Sequence, residues 1–433
     1  MVRSVLFSFV VRFSAAILNF LVIVLLSNML GTIGKGICSR YVTVIANALI
    51  FCDFVGGPPL VYMSARYRTS SILIPSYLWS LLTSVITIFA FFYFGQFSAD
   101  ELPIMIILSF LNSCIAIHQN ILSGKQKFFQ LNLVILIQAV ILFFSLKYLF
   151  TASDDFLELS PSPIHYLVAL GFSYGISAMT GFLLLMNIEK SGKSIGIFHF
   201  LSEAIRYGFI NISGHALQFI NQRLSYYLVS SQTLGVFSNV SSVGESLWLI
   251  PNSLATVQYG KISNTSDEKE SNQITLNFLK VNILFCALAS VIMILLPDNF
   301  FSWLFGPDFS GVSEALRYLV PGLFFFSGYL ILGHHFSGTG NFILNLKAIA
   351  VGLIITLIGF CIFYFAKIEF SSVHIAQLTA LSYIGNFTFA FLVFRRSTNF
   401  KFIDLIPRKD EIVWIVKDLV NRKKTKKENG NNE

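Results

Sequence analysis

The sequence predicts an all-α integral membrane protein with twelve transmembrane helices in two six-helix bundles. Three observations lead there. Of 433 residues, 55% are hydrophobic and 12% are charged, about half the roughly 25% charge of a soluble domain. Mean hydropathy is +0.71. Apolar runs of about 20 residues, long enough for a helix to cross hydrocarbon, recur along most of the chain. The short alternating segments of a transmembrane barrel do not occur in it.

The first run, MVRSVLFSFVVRFSAAILNFLVIVLLSNML, has a basic start. It is too long for a signal peptide and no small-residue cleavage site follows, so it reads as an uncleaved first span. The spans are expected near 5–27, 37–62, 71–95, 102–122, 129–150, 164–188, 203–228, 234–258, 273–296, 312–337, 342–366 and 374–394. Gly56-Gly57-Pro58-Pro59 should break span two before its end, because Pro lacks a backbone donor. The domains are then 1–197, 198–398 and a tail, 399–433.

The loops give an orientation. Arg66, Arg68, Lys125, Lys127, Lys190, Lys193, Lys261 and Lys269 follow the even spans, and Arg395 and Arg396 begin the tail. Asp100, Glu101, Asp154, Asp155, Glu158, Asp298 and Asp308 lie in the opposite set. Basic loops stay cytoplasmic, so both termini are expected inside, with Lys35, Lys147 and Lys367 as minor exceptions. In the tail, KDEIVWIVKDLVNRKKTKK sets Ile412, Ile415, Val416, Leu419 and Val420 against charges. It reads as an interfacial helix with a basic run at the anionic inner leaflet, or as a solubilising tail.

A weak repeat lies inside the chain. GKGICSRYVTVIANALIFC from Gly34 compares with TLGVFSNVSSVGESLWLIP from Thr233. Gly36, Ser39 and Val44 match Gly235, Ser238 and Val243 at one offset. SGKQKFFQLNL from Ser123 compares with SGTGNFILNL from Ser337. Six spans per half would point both halves the same way, as in parallel-repeat transporters, which carry solute between the halves.

Polar residues mark the same helices in each half. In span seven, Asn211, His215, Gln218 and Gln222 fall within an arc of roughly 60° at helical spacing, with Arg206 just beyond. Span one aligns Ser8, Arg12 and Asn19; span two aligns Arg40, Thr43 and Asn47; span eight aligns Asn239, Ser242, Ser246 and Ser253, with Glu245 nearby. An Arg at the bilayer centre costs about 2.5–3.5 kcal/mol or more, so such groups should face water, one another or an anionic ligand. The competing reading is interhelical hydrogen bonding, and snorkelling for Arg40 and Arg223. Asp53 and Glu245 are candidates for ion coupling, or for pairing with an Arg. His334 and His335 are expected at the interface, and Cys38, Cys52, Cys114, Cys286 and Cys361 as packed thiols without metal spacing.

Three stretches carry a family resemblance: LGVFSNVSSVGESLWLIPNSLATVQYGKIS, FFSWLFGPDFSGVSEALRYLVPGLFF and, more loosely, NMLGTIGKGICSRYVTVIANALIFCDFVGG. The chain resembles the O-antigen flippases of the multidrug/oligosaccharidyl-lipid/polysaccharide (MOP) exporter superfamily. That resemblance implies two bundles forming a V around a cavity that opens alternately to each side. It implies transport of a polyprenyl-diphosphate-linked oligosaccharide, an O-antigen or similar repeat unit, across a bacterial inner membrane. The site would comprise Arg12, Asn19, Arg40, Asn47, Arg206, Asn211, His215, Gln218, Gln222 and Asn239. The partners expected are the anionic lipid-linked glycan, membrane lipids and a coupling H+ or Na+. No nucleic acid, metal or cofactor is expected, and the chain would act as a monomer. The alternatives are a cation-coupled multidrug exporter, short of carboxylates here, and a membrane polymerase or transferase. The latter lacks a large outer loop, and no Walker A motif is present.

Overall fold

The computed structural model describes residues 2–155, 160–186, 193–262 and 267–398. Within these, positions 2–9, 152–155, 208, 210, 211, 256 and 260 are described as backbone only. The tail, 399–433, with its expected interfacial helix, lies outside the described residues. Regular structure among them is helical, apart from one bridge between Tyr67 and Lys193. Nine of the described helices are long and apolar enough to cross a membrane, so the chain is a multi-pass membrane protein.

The helices are α1 (Val2–Gly56), α2 (Pro58–Ser64), α3 (Thr69–Tyr93), α4 (Leu102–Gly124), α5 (Phe128–Asp155), α6 (Pro163–Met186), α7 (Ile197–Arg223) and α8 (Ser225–Leu228). They continue as α9 (Ser231–Glu245), α10 (Leu249–Ile262), α11 (Glu268–Leu295), α12 (Asp298–Phe305), α13 (Val312–Gly338), α14 (Phe342–Phe365) and α15 (Ser372–Thr398). By contacts they form two compact units. The first holds the residues through Asn239 together with Asp298–Val312, and the second holds Val240–Pro297 and the residues from Ser313 onward. This partition differs from the expected halves 1–197 and 198–398: α7 packs on α1, α2 and α3, and α12 packs on α1.

In the first unit, the expected loop between spans one and two is a single residue. Gly31 (φ 63, ψ −169) interrupts α1 and the helix resumes at once. That φ suits glycine, which has no Cβ to clash. At the other end, α1 stops at Gly56, Gly57 leaves the helical region, and Pro58 opens α2. This is the expected Gly-Gly-Pro-Pro break, with Pro at a helix start where its missing N–H costs nothing. Between these breaks Val44, Ala48, Cys52 and Val55 are fully buried. Their spacing keeps them on one face, and α1 packs against α3, α4 and α5.

The stretch FFSWLFGPDF, expected as an outer loop, is instead α12 and a 3-10 turn over Pro307–Phe309. Phe301, Phe305 and Phe309 are fully buried, with Phe305 edge-on to Phe20 of α1 at 6.3 Å. Asn28 donates to the Leu304 carbonyl at 2.9 Å, just ahead of the Gly31 kink.

A close helix contact in this unit joins the repeat-matched positions. A Cβ placed on Gly36 would lie 1.8 Å from the Ser231 carbonyl oxygen, and one on Gly235 would lie 1.9 Å from that of Thr32. Each glycine meets the carbonyl four residues before the other, the reciprocal pattern a two-fold relation produces. Lys35 is buried at this crossing and donates to Ser39 Oγ (2.8 Å) and Ser238 Oγ (3.0 Å).

In the second unit, α13 and α15 meet where a Cβ on Gly322 would lie 2.3 Å from Ala380 Cα. Asn282 of α11 donates to Ser327 of α13. Gln258 donates to Thr275, whose hydroxyl also lies 2.8 Å from His335 Nδ1. His335, in the last turn of α13, is buried where that face of the helix packs toward α11. Of the cysteines, Cys361 is exposed and the other four are buried.

Gly36→Leu or Gly235→Leu forces the α1–α9 crossing apart, and each should cost about 1–3 kcal/mol by overpacking. The measurement is thermal melting of the purified protein in detergent. Wild-type melting in both variants would show that the helices do not approach so closely.

Candidate functional site

Within the first unit, α1, α3, α7 and α8 enclose a cavity of about 590 Å³. Its walls are apolar and largely aromatic: Phe51 and Phe54 from α1, Trp79 and Phe91 from α3, Phe219 from α7. Thr83, Thr87, Asn47, Arg223 and Tyr227 supply its polar atoms.

One cluster closes the polar end. Asn47 is buried; its amide donates to the Thr43 carbonyl at 2.8 Å and to the Tyr227 hydroxyl. The Tyr227 ring leans on Phe91, centroids 4.9 Å apart. One residue of α8 is thus tied to α1 and to α3. Arg223 lies over the Tyr226 ring, 4.9 Å from its centroid, and donates to that residue's hydroxyl.

The expected site residues separate into three groups. Arg40 and Asn47 meet α8 and the residue that follows it. Arg40 donates to the Val229 carbonyl at 2.9 Å and to that of Tyr226 at 3.4 Å, carbonyls a helix end leaves without partners. Asn239 is buried elsewhere in the first unit and donates to Ser27 Oγ at 2.8 Å. Arg12 and Asn19 of α1, and Arg206 and His215 of α7, are exposed; Gln218 and Gln222 are half-buried. The side chain of Asn211 lies outside the described residues. Asp53 is half-buried near the end of α1, and Glu245 half-buried at the end of α9, in the second unit.

Two features escaped the sequence reading. Lys35 looked like an exception to the loop charges, although Ser39 one turn on and Gly36 beside it marked a polar, close-packed face. Trp79 and Tyr227 lie in apolar runs; no spacing signal sets them apart from packed aromatics.

No protein-family model and no curated protein matches the sequence. Solved structures do match. The lipid II flippase MurJ, in an inward closed conformation, superposes with a TM-score of 0.70 at 18% identity, over 92% of this chain and 89% of that one. An inward-facing multidrug resistance MATE family transporter of the MOP superfamily gives 0.59 at 13% identity, over 88% and 98%. The eukaryotic MATE transporter AtDTX14 gives 0.55 at 15%, over 90% and 94%.

The chain has the MOP-transporter fold.

Among the described residues of this MOP fold, no three His, Cys, Asp or Glu side chains converge as metal ligands would. The cavity offers donors and aromatic faces. Tyr227→Phe removes the hydroxyl that Asn47 meets. By the strength of interhelical bonds in membranes, the loss should be about 0.6–1.7 kcal/mol, read as a lower melting temperature. Asn47→Leu, which deletes the other partner, should cost less when added to Tyr227→Phe than it does alone. Additive losses in that double-mutant cycle would show that the two groups do not interact.

Proposed function

We propose that the chain is a flippase that moves a polyprenyl-diphosphate-linked oligosaccharide, an O-antigen or similar surface-polysaccharide repeat unit, across a bacterial inner membrane by alternating access. The reading rests on one combination: the fold of MurJ and MATE transporters together with exposed arginines, Arg12 and Arg206, on helices of an otherwise apolar chain. A guanidinium exposed to lipid is costly. One that meets a diphosphate makes strong, bidentate, charge-assisted hydrogen bonds.

The placements refine the roles. Arg12 and Arg206 would attract the diphosphate. Arg40, engaged with two carbonyls, would mainly hold the end of α8 in place. Asn19, Asn47, Asn211, His215, Gln218, Gln222 and Asn239 would offer hydrogen bonds to sugars, with Asn47 and Asn239 the most committed to packing. Asp53 and Glu245 would carry a coupling H+ or Na+. No covalent step is involved.

Twelve passes follow if Val10–Ser64 crosses twice, bending at Gly31, and if α7 and the α9–α10 pair each cross despite their polar stripes. In this reading the halves 1–197 and 198–398 are two six-helix bundles, both termini are cytoplasmic, and the chain works as a monomer.

Likeness to MATE transporters favours one rival, a cation-coupled drug exporter. Drug-susceptibility assays in the deletion strain decide between them, since that rival requires a change in resistance without loss of surface glycan.

Arg12→Ala and Arg206→Ala should each reduce surface polysaccharide by roughly tenfold at unchanged protein level, the loss of one charge-assisted contact. Arg40→Ala should lower protein stability first. Normal polysaccharide in both Arg12→Ala and Arg206→Ala cells would remove the assignment.

A further inference from the structure

The crossing of α1 and α9 closes over a charge that it does not satisfy. Lys35 is buried there, 5% exposed. Its ammonium has three N–H groups and two acceptors, Ser39 Oγ at 2.8 Å and Ser238 Oγ at 3.0 Å. Both hydroxyls donate their own protons to carbonyls, Ser39 to that of Lys35 and Ser238 to that of Gly235. Each therefore meets the ammonium as an acceptor alone. Among the described residues no carboxylate pairs with Lys35, and the nearby Arg223 charge has the same sign.

A second group at the crossing is also unmet. Asn239 follows Ser238 and is fully buried; its amide donates to Ser27 Oγ, but its Oδ1 accepts no hydrogen bond. Buried polar groups nearly always have partners, and a buried charge without a counter-charge is costly. Gly36 and Gly235 nevertheless bring the two backbones together. Packing favours this crossing and the ammonium opposes it, from neighbouring positions in the chain.

We propose that Lys35 spring-loads this crossing: it keeps the contact of α1 with α9 weak enough to part during transport, when water reaches the ammonium and completes its hydrogen bonds. The proposal rests on the alternating-access reading above and adds which contact yields. In the orientation read from the loop charges, the Gly31 turn and this crossing lie toward the outside, where a flippase releases its cargo. An apolar side chain of the same length would suit the closed crossing better, since replacing buried charges by apolar groups is often stabilising. The mark of the device is a variant that is more stable and less active. A lysine that only joined two helices would show the opposite sign on stability.

The test uses the full chain in lipid nanodiscs. Nitroxide labels go on Ile33→Cys of α1 and Gln232→Cys of α9, both exposed, in a Cys361→Ser background because the other four cysteines are buried. Pulsed dipolar spectroscopy should give two distances, the shorter belonging to the crossing described here. Lys35→Met should reduce the longer population roughly tenfold, raise the melting temperature by about 2–4 °C, and lower surface polysaccharide at normal protein level. Ser238→Ala, which removes one acceptor from the ammonium, should enlarge the longer population instead, and it decides alone if Lys35→Met cannot be purified. A single distance in the wild-type chain, a longer population that neither variant moves, or a folded Lys35→Met that melts no higher than wild type overturns the proposal. The flippase reading fails separately, through normal surface glycan in a strain lacking the chain. Lost glycan in that strain with unmoved distances sinks the spring-loaded crossing alone.

Discussion

The first unit is built around two backbone carbonyls at the crossing of α1 and α9. The Thr32 and Ser231 oxygens occupy the space that side chains at Gly235 and Gly36 would fill. Helices approach so closely in membranes when small residues line the contact, because packing replaces the hydrophobic drive that water would supply. The consequences spread from there. The crossing buries Lys35 and gives it Ser39 and Ser238 as partners. It also fixes the start of α9 against α1, one turn before Arg40 reaches the carbonyls of Tyr226 and Val229. The polar end of the cavity is built on that placement.

Polar groups in this chain follow two rules at once. Some join helices: Asn239 to Ser27, Gln258 to Thr275, Asn282 to Ser327. These are short side chains between close helices, where an unmet donor would be expensive. Others, such as Arg12 and Arg206, are exposed. A charged group on an otherwise apolar helix points to ligand or water. The separation matters for function, because a residue already committed to a packing bond is poorly placed to release a passing substrate.

The sequence reading of the fold was legible where the physics is local. Apolar length marked the helices, and Gly56-Gly57-Pro58-Pro59 marked a break that the structure shows at Gly57. It failed where a tertiary contact reassigns a local signal. The turn after span one shrank to Gly31. The aromatic loop after α11 folded as α12, because Phe301, Phe305 and Phe309 found a buried surface on α1. At the candidate site, Arg40 and Asn47 were visible by their spacing, whereas Tyr227 and Trp79 were not, since an aromatic in an apolar run looks the same whether it lines a cavity or a core.

The sequence by itself determined that this chain is helical and multi-pass, because hydrocarbon admits only backbone that satisfies its own hydrogen bonds. It also determined which helices carry polar stripes, because side-chain spacing on a helix is set by its pitch. The tertiary structure alone decided which polar groups are used up in packing and which stay exposed. It also decided that α1, α3, α7 and α8 leave a cavity with Arg223 at one end. Those outcomes depend on how closely residues far apart in the chain approach, and in a lipid interior that distance is set by the shapes of facing side chains.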